Sequence, residues 1–198
     1  MPVALTAPAN PHSASQRLPG DPDIWFLIVA ELLTFGMFFV TYAGYRALDV
    51  DLFNASQLKL DRTLGVINTL FMLTSSWAVV SAVRAARRDR PAEVPRYLAL
   101  AIMLGVGFML VKAIEYSEKF ANGISITTDT FFMFYFCLTI IHLLHVIGGT
   151  AILTVMWAKA RRGGYRANSI KGLETGASYW HMVDLLWIFL FPLLYLLR

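Results

Sequence analysis

The chain has 198 residues, 57% apolar and only 15% charged, with a mean hydropathy of +0.58. Soluble domains average roughly 45–50% apolar and about 25% charged, and uncharged runs of roughly 18–20 residues read as membrane spans rather than as a soluble core. The net charge of +4 is then loop charge that orients a membrane protein, not a nucleic-acid surface, and the one cysteine, Cys137, excludes an internal disulfide and reads as a buried packing residue.

Residues 1–23 hold four prolines before Gly20 and no apolar stretch, so they are expected to form a disordered cytoplasmic tail and not a cleaved signal peptide. Asp21 and Asp23 then stand where a helix N-terminus favours negative charge. Hydropathy predicts five transmembrane helices, over residues 24–45, 64–83, 97–116, 130–158 and 176–197. Each is long enough to cross a hydrocarbon core of ~30 Å at ~1.5 Å per residue. Pro192 is expected to bend the last turns of the fifth. No internal repeat or long linker divides residues 24–198, so the fold class is all-α, one polytopic helical membrane domain.

Basic residues set the orientation. Eleven of them, Arg17, the Arg84–Arg96 group and the Lys159–Lys171 group, lie in the N-tail and the loops after helices two and four. Five, Arg46, Lys59, Arg62, Lys119 and Arg198, fall on the other side. The positive-inside rule places the N-terminus in the cytoplasm and the C-terminus outside. Trp25, Trp157 and Trp180 then read as a cytoplasmic aromatic belt. The cluster Arg84–Arg90 is read as topogenic, with contact to anionic lipid as a second role.

Ionisable groups within spans usually face the protein interior, a cavity or a functional pathway. Those singled out are Glu31, Lys112, Glu115, His142, His145, His181 and Asp184. Glu31, His181 and Asp184 are expected roughly 8–12 Å in from the cytoplasmic side, with His142 and His145 about 20–24 Å along their helix. Three i,i+3 pairs share helix faces: Lys112 with Glu115, His142 with His145, and His181 with Asp184. The first pair can neutralise itself and snorkel; in the third, Asp184 can fix the tautomer of His181. For Glu31 the alternatives are a proton-exchanging or lipid-facing carboxyl, or one satisfied by Thr34 or a neighbouring helix.

Imidazoles one turn apart can share a metal, but intramembrane histidines also serve as interhelical hydrogen bonds. A haem- or metal-binding redox protein using His142, His145 and His181 is one alternative; a small transporter using Glu31 is another, although no inverted repeat or broken helix supports it. No Gly-x-Ser-x-Gly, phosphate loop or His-Glu-x-x-His occurs. The aromatic run Phe131–Phe136 reads as lipid-facing or interhelical packing, and Gly105, Gly107, Gly148 and Gly149 as close-packing positions.

Four segments carry a resemblance. Trp25-Phe26-Leu27-Ile28-Val29-Ala30-Glu31 looks like a helix with an intramembrane glutamate, Glu115-Tyr116 like a Glu-aromatic helix end, and His142-Leu143-Leu144-His145-Val146 like a His-x-x-His-Val segment. Trp180-His181-Met182-Val183-Asp184-Leu185-Leu186-Trp187 resembles a Trp-His-x-x-Asp-x-x-Trp signature. Together they resemble subunit III of the haem–copper oxidases, in a five-helix form lacking the first two helices of longer members. Phe132–Phe136, Pro22-Asp23 and Lys112, where oxidase members usually carry glutamine, resemble the NorE branch associated with nitric oxide reductase.

The resemblance implies a subunit of a bacterial inner-membrane complex with no catalytic residues, haem or metal of its own. Bound phospholipid in a cleft between helix groups is implied as well. The partner is expected to be the catalytic subunit of a nitric oxide reductase or, as the alternative, of a terminal quinol or cytochrome c oxidase. In oxidases such a subunit supports proton uptake and sustained turnover.

Overall fold

The apolar runs fold into α-helices in a computed structural model that describes residues 20–165 and 169–197. They are α1 (Pro22–Leu48), α2 (Val50–Gln57), α3 (Arg62–Arg87), α4 (Val94–Ala121), α5 (Thr130–Arg161) and α6 (Lys171–Phe191), followed by a π-helical turn at Pro192–Leu196. No strand occurs among the described residues. Five of these helices, counting α6 with its turn, are long and apolar enough to cross a membrane, so the chain is a multi-pass membrane protein. Arg17, Arg166, Arg198 and the predicted tail as far as position 19 lie outside the described residues.

Every predicted span is present, and each helix runs further than its apolar core. The extensions consist of polar turns that a hydropathy reading leaves out, such as Lys171–Thr175 at the start of α6. They shift depth. Trp180, expected in the interfacial belt, is nine residues into α6, about 13 Å along the axis, and is fully buried in the core. The region between the first two predicted spans contains α2, which was not foreseen. Its eight residues are too few and too mixed for a periodicity signal, although the Asp49 carboxylate accepting from Leu52 N–H is a cap readable in sequence.

α3, α4, α5 and α6 pack as the core, running alternately up and down. Ala78, Ala82 and Ala86, one turn apart on α3, are fully buried, and such small residues let helix backbones approach. α1 leans on α5 and α6 through Ile28, Phe35 and Tyr42, and most of its surface stays exposed. α2 closes the far end: Ser56 donates to Asp129 (2.7 Å) and Gln57 to the Leu194 carbonyl (3.0 Å). Pro192 cannot donate a backbone hydrogen bond, and the chain widens there into the π-turn, closed by Leu197 N–H to the Pro192 carbonyl.

The expected packing of Phe131–Phe136 is interhelical: Phe131, Phe132, Phe134, Tyr135 and Phe136 are buried and only Met133 is exposed. Met133, Ile140 and Leu144 mark the outward stripe of α5. Cys137 lies on that stripe and is exposed, not buried as its apolar setting suggested.

At the other end the start of α1 is tied to the start of α6. Asp21 pairs with Lys171 and receives a hydrogen bond from Thr175 (3.3 Å), while its N–H donates to Thr175 Oγ1 (3.0 Å). Arg87 holds Glu174 at 2.7 Å. The hydrogen bond from Lys171 keeps the Asp21 carboxyl below its ordinary value. A lowered folded-state value means stability fully present above the unfolded pKa near ~3.9 and lost as pH falls through the folded value. The difference in thermal stability between wild type and Asp21→Asn should therefore stay constant from pH 7 to 5 and vanish at lower pH. A difference that grows on acidification would contradict this tie.

Candidate functional site

The polar groups singled out in the spans do not form one layer; they occupy three separate places. Glu31 and His145 meet where α1 crosses α5, with Glu31 Oε2 3.3 Å from His145 Nε2 and both side chains partly exposed, 27% and 18%. His145 Nδ1 lies 2.8 Å from the Ile141 carbonyl. A carbonyl only accepts, so Nδ1 carries a proton, and Nε2 either accepts from a protonated Glu31 or donates to an ionised one. The pair holds one exchangeable proton in either form. Phe35, one turn on from Glu31, packs edge-on against the imidazole (5.7 Å) and is itself fully buried. Thr34 is not Glu31's partner, because its hydroxyl donates to the Ala30 carbonyl (2.9 Å) as threonines in helices commonly do.

Lys112 and Glu115 lie in the core. Their ion pair (3.0 Å) is fully buried. The ammonium also donates to Tyr195 Oη (2.9 Å), and Tyr195 and Tyr135 donate to the other carboxylate oxygen at 2.6 and 2.9 Å. Four rings, Tyr116, Tyr135, Trp187 and Tyr195, stand 5.1–5.6 Å from the ammonium, within cation–π range. Snorkelling is excluded by this geometry: α4 continues nine residues past Lys112, and the π-turn folds Tyr195 over it. The cluster is electrically closed and pins α4, α5 and the chain end together.

The i,i+3 histidines diverge. His142 is fully buried, stacked on Trp187 (5.4 Å) and edge-on to Phe108 (5.7 Å), with neither ring nitrogen hydrogen-bonded to protein, whereas His145 turns to α1. His181 does not pair with Asp184. Its Nδ1 is 2.7 Å from Ser76 Oγ, because tight α3–α6 packing brings that hydroxyl to the ring, and Asp184 Oδ1 is buried without a partner. Among the described residues no three His, Cys, Asp or Glu side chains gather as a metal site, so the three histidines of the redox reading offer no converging ligands. Sequence reasoning missed Ser76, Tyr135 and Tyr195, which carry no charge and are ordinary residues until the helices meet.

Trp180 shows what the glycines are for. Its indole lies against Gly105 and Gly149, where a Cβ would come within 3.0 and 2.7 Å of the ring. The Trp180–Trp187 segment that carries the strongest resemblance thus seats two tryptophans in the core, Trp180 against Gly105 and Gly149 and Trp187 beside His142 and Lys112.

Residues 23–197 match the family described as cytochrome c oxidase subunit III. The chain belongs to that family. It is 30% identical over 184 residues to cytochrome c oxidase subunit 3 of Synechocystis, covering 90% of this chain and 78% of that one. It is similar to the probable subunit 3 of Rickettsia conorii, 30% identical over 93% of this chain and 70% of the relative. The subunit 3 of Alkalihalophilus pseudofirmus matches at 26% over 96% of this chain and 98% of its own. All three relatives carry the oxidase name, which is the alternative reading of the sequence and not its first, the nitric oxide reductase.

Proposed function

We propose that the protein is the non-catalytic subunit III of a bacterial terminal oxidase, seated beside the catalytic subunit in the inner membrane with its basic end in the cytoplasm. The observation that carries this reading is the Glu31–His145 pair: two segments that resemble the family in isolation join at 3.3 Å at a partly exposed position. While it holds its shared proton the carboxyl–imidazole pair is neutral overall, whichever partner carries the proton, and its partly exposed position lets that proton exchange near the protein surface. That fits a subunit that supports proton uptake by its neighbour and carries no reaction itself. Bound phospholipid belongs to the same proposal.

Affinity purification from native membranes in mild detergent, with mass spectrometry and a visible spectrum, tests it. Haem-bearing oxidase subunits should co-purify, and Glu31→Gln should leave subunit abundance unchanged while the oxidase loses activity earlier during turnover than wild type. Recovery of nitric oxide reductase subunits would move the protein to that complex. A coloured chain isolated alone would overturn the accessory role.

A further inference from the structure

We propose that the end of α3 and the start of α4 form a binding site for the phosphate of an anionic phospholipid, independent of which complex the chain joins. A concave site of about 220 Å³ lies there, lined by Trp77, Ser81, Arg84, Arg88, Arg90 and Tyr97, with Ala85 and Glu93. Its cations are of two kinds. Arg90 is paired with Glu93 (3.4 Å), and Arg87, just outside, is paired with Glu174 (2.7 Å). Arg84 and Arg88 are exposed and have no acidic partner among the described residues.

The backbone shapes the site. α3 ends in a Schellman turn in which Arg90 N–H bonds to the Ala85 carbonyl (2.9 Å) and Asp89 takes a left-handed φ of 53°. That turn folds Arg90 and Glu93 back over the end of α3. Glu93 stands at the N-cap position of α4 without a side-chain capping bond and Tyr97 stands in its first turn, and both line the site, so the positive end of the α4 dipole lies beside it.

The surface beneath says that the anion belongs to a lipid. Trp77 and Tyr97 meet edge-to-face at 6.2 Å directly below the arginines, an amphipathic aromatic pair at the level where such rings mark a membrane interface. From Trp77 the exposed stripe of α3 continues through Leu73, Leu70 and Val66, one residue per turn. It spans about 16 Å along the axis, close to half of a ~30 Å hydrocarbon core. Cation, aromatic pair and hydrocarbon ridge follow in the order of headgroup, glycerol region and one acyl chain. A free phosphate would use only the first of these.

Full-length protein, purified in mild detergent with its co-purifying subunits and then stripped of lipid, is titrated with dioleoyl phosphatidylglycerol and with dioleoyl phosphatidylcholine by native mass spectrometry. Phosphatidylglycerol should bind at least about tenfold more tightly than phosphatidylcholine. Arg84→Gln/Arg88→Gln should weaken it about thirtyfold, against about threefold or less for Lys159→Gln/Arg162→Gln, which removes the same charge from the same end. Trp77→Ala, which leaves every charge in place, should also weaken it severalfold. Equal loss in the two charge variants, equal affinity for the two lipids, or displacement of the lipid by inorganic phosphate at equal concentration would overturn the proposal.

Discussion

Lys112→Met should lower stability by about 3–5 kcal/mol, because it leaves Glu115 as a fully buried carboxylate facing only two tyrosine hydroxyls. The Lys112→Met/Glu115→Leu double variant should recover most of that loss. A buried ion pair gains little over well-packed apolar groups, and the damage in the single variant comes from the charge left behind. Tyr195→Phe should fall between them, at about 1–3 kcal/mol, since it removes one donor to the carboxylate and one acceptor for the ammonium. Thermal unfolding of the protein in mild detergent, with membrane accumulation beside it, gives the comparison. A double variant as unstable as the single would show that the pair itself, and not the stranded charge, sustains the core.

The second large effect is expected at Gly149. An alanine there places Cβ 2.7 Å from Trp180 Cε3, and the indole is fully buried, so it has to shift within a packed core to make room. Overpacking of this kind costs about 1–3 kcal/mol and shifts the backbone. The neighbouring Gly148→Ala is the control: its Cβ meets only Tyr179 Oη at 3.5 Å, so it should change stability by about 0.5 kcal/mol or less. Thermal unfolding separates the two. Equal tolerance at both positions would mean that Trp180 is free to move.

Much of this arrangement is legible before folding. A span must be predominantly apolar over about 20 residues whatever packs beside it, so the five crossing helices stand out as runs. The asymmetry of Arg and Lys between alternate loops reads just as directly. Ionisable groups within such runs are conspicuous for the same reason, and Glu31, Lys112, Glu115, His142, His145, His181 and Asp184 could be named at once. The resemblance to subunit III also came from order and spacing alone, and the match over residues 23–197 supports it at the level of the family.

Partnerships were not legible. Helical spacing states which residues share a face of one helix, and it offered Asp184 to His181 and His145 to His142. The folded chain gave His181 to Ser76, 105 residues away, and His145 to Glu31 on another helix. Lys112 looked free to reach the surface until Tyr195, 83 residues on, closed over it. α2 went unseen because eight mixed residues carry no period, and Cys137 because one apolar run can hold both a lipid stripe and a core face.

The sequence by itself determined the number of crossings, the sidedness of charge and the identity of the groups that must be satisfied inside the membrane. These follow from transfer of each residue between water and hydrocarbon, which is local. Only the tertiary structure decided which group satisfies which, because in a low-dielectric interior a buried charge or imidazole takes the nearest complementary atom. That atom is supplied by helices brought together from distant parts of the chain.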